Sequence, residues 1–166
     1  RLLLGQWAEV NIVSRDKQRA EAARLQILAH FDGGHEEQIL ATDSSDGKRL
    51  DEVLAAADVI FGCGAAGAQL LDERQMQLAA KARVAIDLNA VPPAGLFGID
   101  VTDNAVERGQ RLDYGAIGVG GLKMKIHKAC IQQLFTRNDL LLDAEEILEV
   151  GSVVEQAVST AGKSGS

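Results

Sequence analysis

The stretch "DVIFGCGAAGAQLL", residues 58–71, carries the clearest signal of fold class in the chain. Residues 59–61 form a short apolar run with the β-branched and aromatic side chains that β-strands favour. Glycines follow the run, a helix is predicted over about residues 72–82, and "RVAIDLN", residues 83–89, predicts the next strand. Two apolar strands joined through a helix are typical of parallel sheets covered by helices. The stretch therefore predicts an α/β fold.

The same alternation of strands and helices occurs upstream. "AEVNIVS", residues 8–14, predicts a buried strand, and Asp16 is placed to cap the helix that follows it. "QILAT", residues 38–42, predicts a weaker strand, and Leu50 and Leu54 mark the buried face of the next helix. We therefore expect a doubly wound parallel sheet.

The downstream part of the chain adds two helices. An apolar run at residues 115–119 leads into a helix that begins near Leu122. Asp143 is placed to cap the last helix, whose first turn carries two glutamates at the end where the helix dipole favours acids. These patterns predict one domain over residues 1–161 and a flexible tail over residues 162–166.

Composition and charge exclude several classes of function. With 46% apolar and 25% charged residues, the chain is typical of a globular protein. Its formal charge of −7 argues against nucleic acid or an anionic membrane as a partner. Cys63 and Cys130 are far apart and have neither C-x-x-C spacing nor a nearby histidine pair. We therefore expect no metal site and no disulfide framework, and a reducing cytoplasm fits best.

The end of the first predicted strand carries a candidate cofactor contact. Ligands of doubly wound sheets bind at the carboxyl ends of the strands. NAD-selective Rossmann domains usually place an acid here for the ribose 2′-hydroxyl, whereas this chain has Ser14 followed by Arg15. A guanidinium pairs with phosphate in a bidentate fork, so the pair suits the 2′-phosphate of NADP. The alternative is that Ser14 or Asp16 only caps a helix and Arg15 is a solvated charge.

Glycine-rich turns follow two further strands. The loop at residues 62–67, with Gly64 and Ala65, can let a cofactor approach the backbone, or it is an ordinary turn into a helix. Asp87 and Asn89 lie at the end of another strand and could hold backbone or cofactor groups, although Asn before prolines is also common in turns. The run "YGAIGVGGLKMKIHKAC", residues 114–130, holds Gly118 and Gly120 but matches neither G-x-G-x-x-G nor a Walker-type loop.

Lys123 stands out because of its position in a helix. It lies in the first turn, where a positive charge opposes the helix dipole, so stability alone does not favour a lysine there. The alternative is an exposed lysine on an amphipathic helix, and that interpretation fits Lys125 and Lys128 well. The conflict with the dipole favours a functional role for Lys123.

Four stretches together resemble one enzyme family. They are "VSRDKQRAEAA", "GCGAAGAQLL", "DLNAVPPAGLFGIDVTD" and, above all, "GAIGVGGLKMKIHKACIQQLF". These stretches resemble the methylenetetrahydromethanopterin/methylenetetrahydrofolate dehydrogenases of methylotrophic bacteria. The resemblance covers nearly the whole chain.

The resemblance implies a two-domain, metal-free cytoplasmic enzyme of one-carbon metabolism that works as a homo-oligomer. Such an enzyme passes hydride from the methylene bridge of a tetrahydromethanopterin or tetrahydrofolate adduct to NADP or, in some members, to NAD. This chain would be its Rossmann-like NADP-binding domain. Because the chain begins with Arg1 rather than methionine, we expect a fragment that lacks the first strand, the glycine loop and the N-terminal substrate domain.

The resemblance also implies roles for individual residues. Lys123 aligns with the family's lysine in "GGLK". It would be the catalytic residue, contacting the pterin and orienting it. The backbone at Gly118 and Gly120 would lie beside the nicotinamide. Lys17 would be a second contact for the 2′-phosphate beside Arg15.

Two alternatives stay open at this point. A shikimate-dehydrogenase-like enzyme also places a Ser/Asn-Arg pair after its second strand, but it leaves "GGLKMKIHKAC" unexplained. A non-catalytic NADP-binding module would bind the nucleotide without turnover.

Overall fold

The computed structural model describes residues 2–5 and 8–163, without the side chains of residues 4–5 and 157–163, and in these ranges shows six helices and six strands. In chain order they are α1 (Leu2–Gly5), β1 (Val10–Ser14), α2 (Lys17–Leu28), β2 (Ile39–Asp43), α3 (Gly47–Ala56), β3 (Val59–Gly62), α4 (Glu73–Leu78), β4 (Val84–Asp87), β5 (Val106–Arg108), β6 (Arg111–Gly115), α5 (Gly120–Leu134) and α6 (Ala144–Lys163). The chain divides into two compact units, residues 1–116 and residues 117–166.

The first unit begins with a parallel β-α-β arrangement. Strands β1 and β2 pair in parallel, from Val10 opposite Ile39 to Ser14 opposite Asp43, and α2 packs against both strands. Asp16 caps α2 as the sequence predicts, because its carboxylate accepts the backbone N–H groups of Gln18 and Arg19.

A second sheet has the strand order β3-β4-β6-β5. Strands β3, β4 and β6 run parallel, with Gly62 opposite Asp87 and Asp87 opposite Gly115 at their carboxyl ends. The α/β class and the parallel pairing expected from the sequence are therefore confirmed. Within the described residues these strands and the β1–β2 pair form two separate sheets.

The core of the first unit lies between this second sheet and helices α3 and α4. Leu50 and Leu54 of α3 are buried, as their spacing predicts. Their neighbours in the core come from β3, β4, the loop after β4, and α4 with the segments on either side of it: Ile60, Leu71, Met76, Ala79, Ala82, Ala85, Leu96 and Ile99. Burial of this apolar surface is the main force holding the unit together.

The sequence patterns miss a β-hairpin at the edge of the second sheet. Strand β5 pairs antiparallel with β6 through a two-residue turn, and Gly109 in that turn has a φ of +68°. The apolar run at residues 115–119 is a turn after the strand, because β6 ends at Gly115. The strands of the hairpin are rich in charge, which hides them from a search for apolar runs.

Charge pairing explains how a polar strand can be buried. Asp113 in β6 is fully buried, and its carboxylate accepts hydrogen bonds from Arg111 at 2.6 Å and from Arg108 at 3.2 Å. Arg108 also contacts Asp103 at 2.8 Å, and that carboxylate raises the pKa of the guanidinium. A buried carboxylate is tolerated here because it is hydrogen-bonded to its counter-ions.

The second unit is a pair of helices. Helix α5 begins at Gly120, two residues before the expected start, and α6 begins at Ala144 as the sequence predicts. Asp143 caps α6 by accepting the backbone N–H of Glu145 at 3.0 Å. Helix α6 continues to Lys163, two residues into the segment predicted as a tail. The rest of that predicted tail, residues 164–166, lies outside the described residues.

The helices are all too short or too polar to cross a bilayer, as far as the described residues extend.

Candidate active site

The predicted site residues of the first unit lie at, or just after, the carboxyl ends of the parallel strands. In the β1–β2 pair these ends carry Ser14 and Asp43, and in the second sheet they carry Gly62, Asp87 and Gly115. Parallel strands of one sheet end at the same edge, so each set lies side by side. These are the positions where doubly wound sheets hold ligands.

Asp87 organises the edge of the second sheet. It is 2% exposed, and its two carboxylate oxygens accept the backbone N–H groups of Asn89 and Leu96, both at 3.0 Å. These bonds fasten the end of β4 to the loop that follows it. A buried carboxylate is stable in this position because both oxygens have hydrogen-bond donors.

Two glycines make room for this carboxylate. A Cβ atom at Gly95 would lie 2.8 Å from Oδ1 of Asp87, and one at Gly62 would lie 3.1 Å from the same oxygen. The added atom at Gly62 would also lie 2.8 Å from Cγ of Leu96. Close packing, rather than an unusual backbone angle, therefore accounts for these glycines.

Asn89 bonds to three backbone groups in two loops. Its Oδ1 accepts the N–H of Gly67 at 3.4 Å and that of Val91 at 3.1 Å, while its Nδ2 donates to the carbonyl of Pro93 at 3.1 Å. The side chain is only 8% exposed. Asn89 thus links the loop after β3 to the loop after β4. The structure shows these backbone bonds, and a contact with cofactor stays a prediction.

The loop that contains Gly64 and Ala65 is exposed. Gly64 and Ala65 follow the end of β3 by two and three residues, and their backbone N–H groups have no hydrogen-bond partner among the described residues. Farther along, Gly67 has a φ of +73°, a conformation that favours glycine. Unpaired donors beside a strand end are available to a ligand, in contrast to the bonded loop that follows β4.

At the end of β1 some polar side chains are hydrogen-bonded within the protein and others are exposed without a close partner. The hydroxyl of Ser14 accepts the N–H of Asp16 at 3.1 Å, and the Asp16 carboxylate is engaged in capping α2. Arg15 is exposed and forms no ion pair with any described residue. Lys17, in the first turn of α2, lies near Asp43. Hydrogen bonds from Ser45 hold the pKa of Asp43 below its ordinary value, and the charge of Lys17 lowers it further.

The second unit brings together the predicted residues Gly118, Gly120 and Lys123. The N–H of Gly120 donates to the carbonyl of Ile117 at 2.9 Å, and the N–H of Lys123 donates to that of Val119 at 3.2 Å. Lys123 is exposed in the first turn of α5, as expected, and no side chain caps this helix. A Cβ atom at Gly120 would meet nothing within 4 Å, so packing in the structure does not require this glycine.

One acidic group near the start of α6 has the spacing of a cation site. Oxygen atoms of Asp143, Glu145 and Glu146 lie within 4.8 Å of one another. Asp143 is engaged in capping, and its own N–H donates to Glu146 at 3.0 Å. Two of the three carboxylates are thus hydrogen-bonded at the start of α6, and we assign no metal to the group. The expectation of a metal-free enzyme stays a prediction.

Sequence reasoning did not single out Asp43 or Gly95 as parts of the site, whereas the backbone bonds of Asp87 agree with the role expected for it. Asp43 could have been found from the parallel pairing, because it ends the strand next to Ser14. The roles of Gly95 and Leu96 depend on how the loop folds back onto β4, and no local pattern predicts that.

Two curated proteins resemble the chain. Bifunctional protein MdtA of Methylorubrum extorquens is 36% identical over 143 residues, which is 86% of this chain and 48% of that protein. The NAD(P)-dependent methylenetetrahydromethanopterin dehydrogenase of the same organism is 45% identical over 69 residues, or 40% of this chain and 23% of that protein. The chain thus spans about half or less of the length of these relatives. No protein-family model matches it.

Proposed function

We propose that the protein to which this chain belongs is an oxidoreductase of one-carbon metabolism. It transfers hydride from the methylene carbon of methylene-tetrahydromethanopterin or methylene-tetrahydrofolate to NADP, with NAD as a second acceptor, and releases the methenyl form. The observation that carries this proposal is the 45% identity to an NAD(P)-dependent methylenetetrahydromethanopterin dehydrogenase over 69 residues. In this proposal the chain contributes the nucleotide-binding part.

The residues at the end of β1 fit a nucleotide with a 2′-phosphate. Arg15 is exposed and has no ion-pair partner among the described residues, so its guanidinium is available for a bidentate contact. The nearest acid in sequence, Asp16, is used in the cap of α2. No carboxylate directly after Ser14 is therefore available to select a ribose 2′-hydroxyl. Lys17 adds a second positive charge.

The loop after β3 fits the close approach of a cofactor. The exposed N–H groups of Gly64 and Ala65 can donate to the oxygens of a bound nucleotide, while Asn89 holds the loop in place through Gly67. The backbone at Gly118 and Gly120 lies beside the nicotinamide in this proposal. At Gly120 a side chain is excluded by the ligand rather than by the protein's own packing.

The reaction asks little acid–base help from the protein. Bound NADP supplies the hydride acceptor. The two nitrogens beside the methylene carbon share the positive charge that remains when hydride leaves, so no side chain has to move a proton at this step. The main contribution of the chain is to hold the reacting carbons at near-contact distance, which can supply a large part of the rate enhancement.

Lys123 is the residue proposed to orient the pterin. Its ammonium group donates hydrogen bonds to polar atoms of the pterin ring, and its exposed position leaves it free to do so. Lys128, also exposed and on the same helix, provides a matched control.

The test is to follow cofactor reduction by near-ultraviolet absorbance, with the full-length protein, each pterin substrate, and NADP or NAD. We expect Lys123→Ala to lower kcat/KM by about 100-fold, the order of loss from a misplaced substrate. We expect Lys128→Ala to leave it unchanged, and NADPH binding to persist in both variants. Equal rates for Lys123→Ala and wild type would contradict the role of the lysine. Nucleotide binding without turnover on either pterin would favour a non-catalytic binding module.

A further inference from the structure

Asp43 lies at the same sheet edge as the predicted phosphate contacts. It is the last residue of β2, directly opposite Ser14, the last residue of β1. Neighbouring strands are about 5 Å apart, so the two residues are adjacent at this edge. The N–H of Ser44 donates to the carbonyl of Ser14 at 2.9 Å, which holds the turn after β2 against the end of β1.

The carboxylate of Asp43 is held in a defined position. Its Oδ1 accepts both the N–H of Ser45 at 2.8 Å and the hydroxyl of Ser45 at 2.7 Å. Oδ2 has no hydrogen-bond partner among the described residues. One carboxylate oxygen is thus used to shape the turn, and the other is available to a ligand.

The charges at this sheet edge have opposite effects on a bound phosphate. Hydrogen bonds from Ser45, and then the charge of Lys17, hold the pKa of Asp43 below its ordinary value. The carboxylate therefore stays negative at neutral pH. A negative charge beside Ser14 repels a 2′-phosphate, whereas Arg15 and Lys17 attract it. The same carboxylate oxygen can accept a hydrogen bond from an unmodified ribose hydroxyl.

We infer that Asp43 sets the balance between NADP and NAD by disfavouring the 2′-phosphate and offering an acceptor to the ribose hydroxyl of NAD. This inference rests on the proposed function, because it requires a nicotinamide nucleotide at this edge. It assigns a specificity-determining role to the strand next to the one that carries Ser14 and Arg15.

The test is to titrate the full-length protein with NADPH and with NADH, following the fluorescence of the reduced nicotinamide. Asp43→Asn keeps the Oδ1 acceptor for Ser45, so the turn is retained. We expect the NADPH-to-NADH affinity ratio to rise by about tenfold, the size expected for one like charge a few ångströms from a phosphate at an exposed edge. Lys17→Met should lower the ratio.

Asp32→Asn is the matched control for net charge. Asp32 is exposed and lies between α2 and β2, at the amino end of the strand and away from Asp43. An unchanged ratio in Asp43→Asn, or an equal rise in Asp32→Asn, would overturn the inference while leaving the proposed function intact. Failure of the wild type to bind either nucleotide would overturn both.

Discussion

The two strand edges of the first unit are built in opposite ways. After β4, the side chains of Asp87 and Asn89 are buried and bonded to backbone groups. After β1, Arg15 and Lys17 are exposed and outside any close ion pair among the described residues. The side chains after β4 therefore stabilise the fold, whereas the charges after β1 are available to a ligand. Substitutions should therefore affect stability at one edge and nucleotide selection at the other.

The largest effect is expected at Asp87. Asp87→Ala removes the acceptors of two backbone N–H groups, one of them on Leu96, which is 1% exposed. Leaving both donors unpaired should lower the free energy of unfolding by about 3 kcal/mol. Urea denaturation measures this loss. Asp32→Ala, at an exposed position, should change stability by less than about 0.5 kcal/mol. A similar small change in Asp87→Ala would contradict the structural role of that carboxylate.

An effect of different kind is expected at Arg15. Arg15→Ala should weaken NADPH binding by about tenfold or more, the value of a charge-assisted hydrogen bond, and leave NADH binding unchanged. The urea midpoint should stay at the wild-type value, because Arg15 has no ion-pair partner among the described residues. Titrations with NADPH and NADH, together with urea unfolding curves, compare the variant with the wild type. Equal loss of NADPH and NADH affinity would show that Arg15 does not contact the 2′-phosphate.

A small change in stability is expected at Gly120. Its φ is not positive and an added Cβ would meet no atom within 4 Å, so Gly120→Ala should stabilise the protein by about 0.5 kcal/mol or leave it unchanged. Hydride transfer should nevertheless slow, because the proposed function places the ligand where the methyl group would lie. Unfolding curves and turnover rates together test this. Full activity in Gly120→Ala would mean that no ligand approaches this backbone.

Much of the fold follows from local patterns. The strands that end at Ser14, Asp43, Gly62 and Asp87 are apolar runs, and Asp16 is a recognisable helix cap. The β5–β6 hairpin could not be predicted in this way, because its buried residue Asp113 is charged and becomes stable only when arginines meet it in the folded sheet.

The candidate site also contains features that local sequence patterns predict and features that depend on tertiary contacts. Ser14 and Arg15 can be picked out because a strand end followed by an arginine has a local signature. The bond between Asn89 and Gly67 cannot, since it requires two loops from different strands to meet. Leu71 and Leu96 form a parallel bridge between those loops, a pairing of residues 25 positions apart that no local pattern predicts.

The most direct test of the account is isotope transfer by the full-length protein. The substrate would be methylene-tetrahydromethanopterin carrying two deuterium atoms on the methylene bridge, supplied with NADP, and the reduced nucleotide would be examined by mass spectrometry. Direct hydride transfer between carbons that the protein holds together predicts one deuterium in NADPH. NADPH without deuterium, or no NADPH from this substrate or its folate analogue, would contradict it.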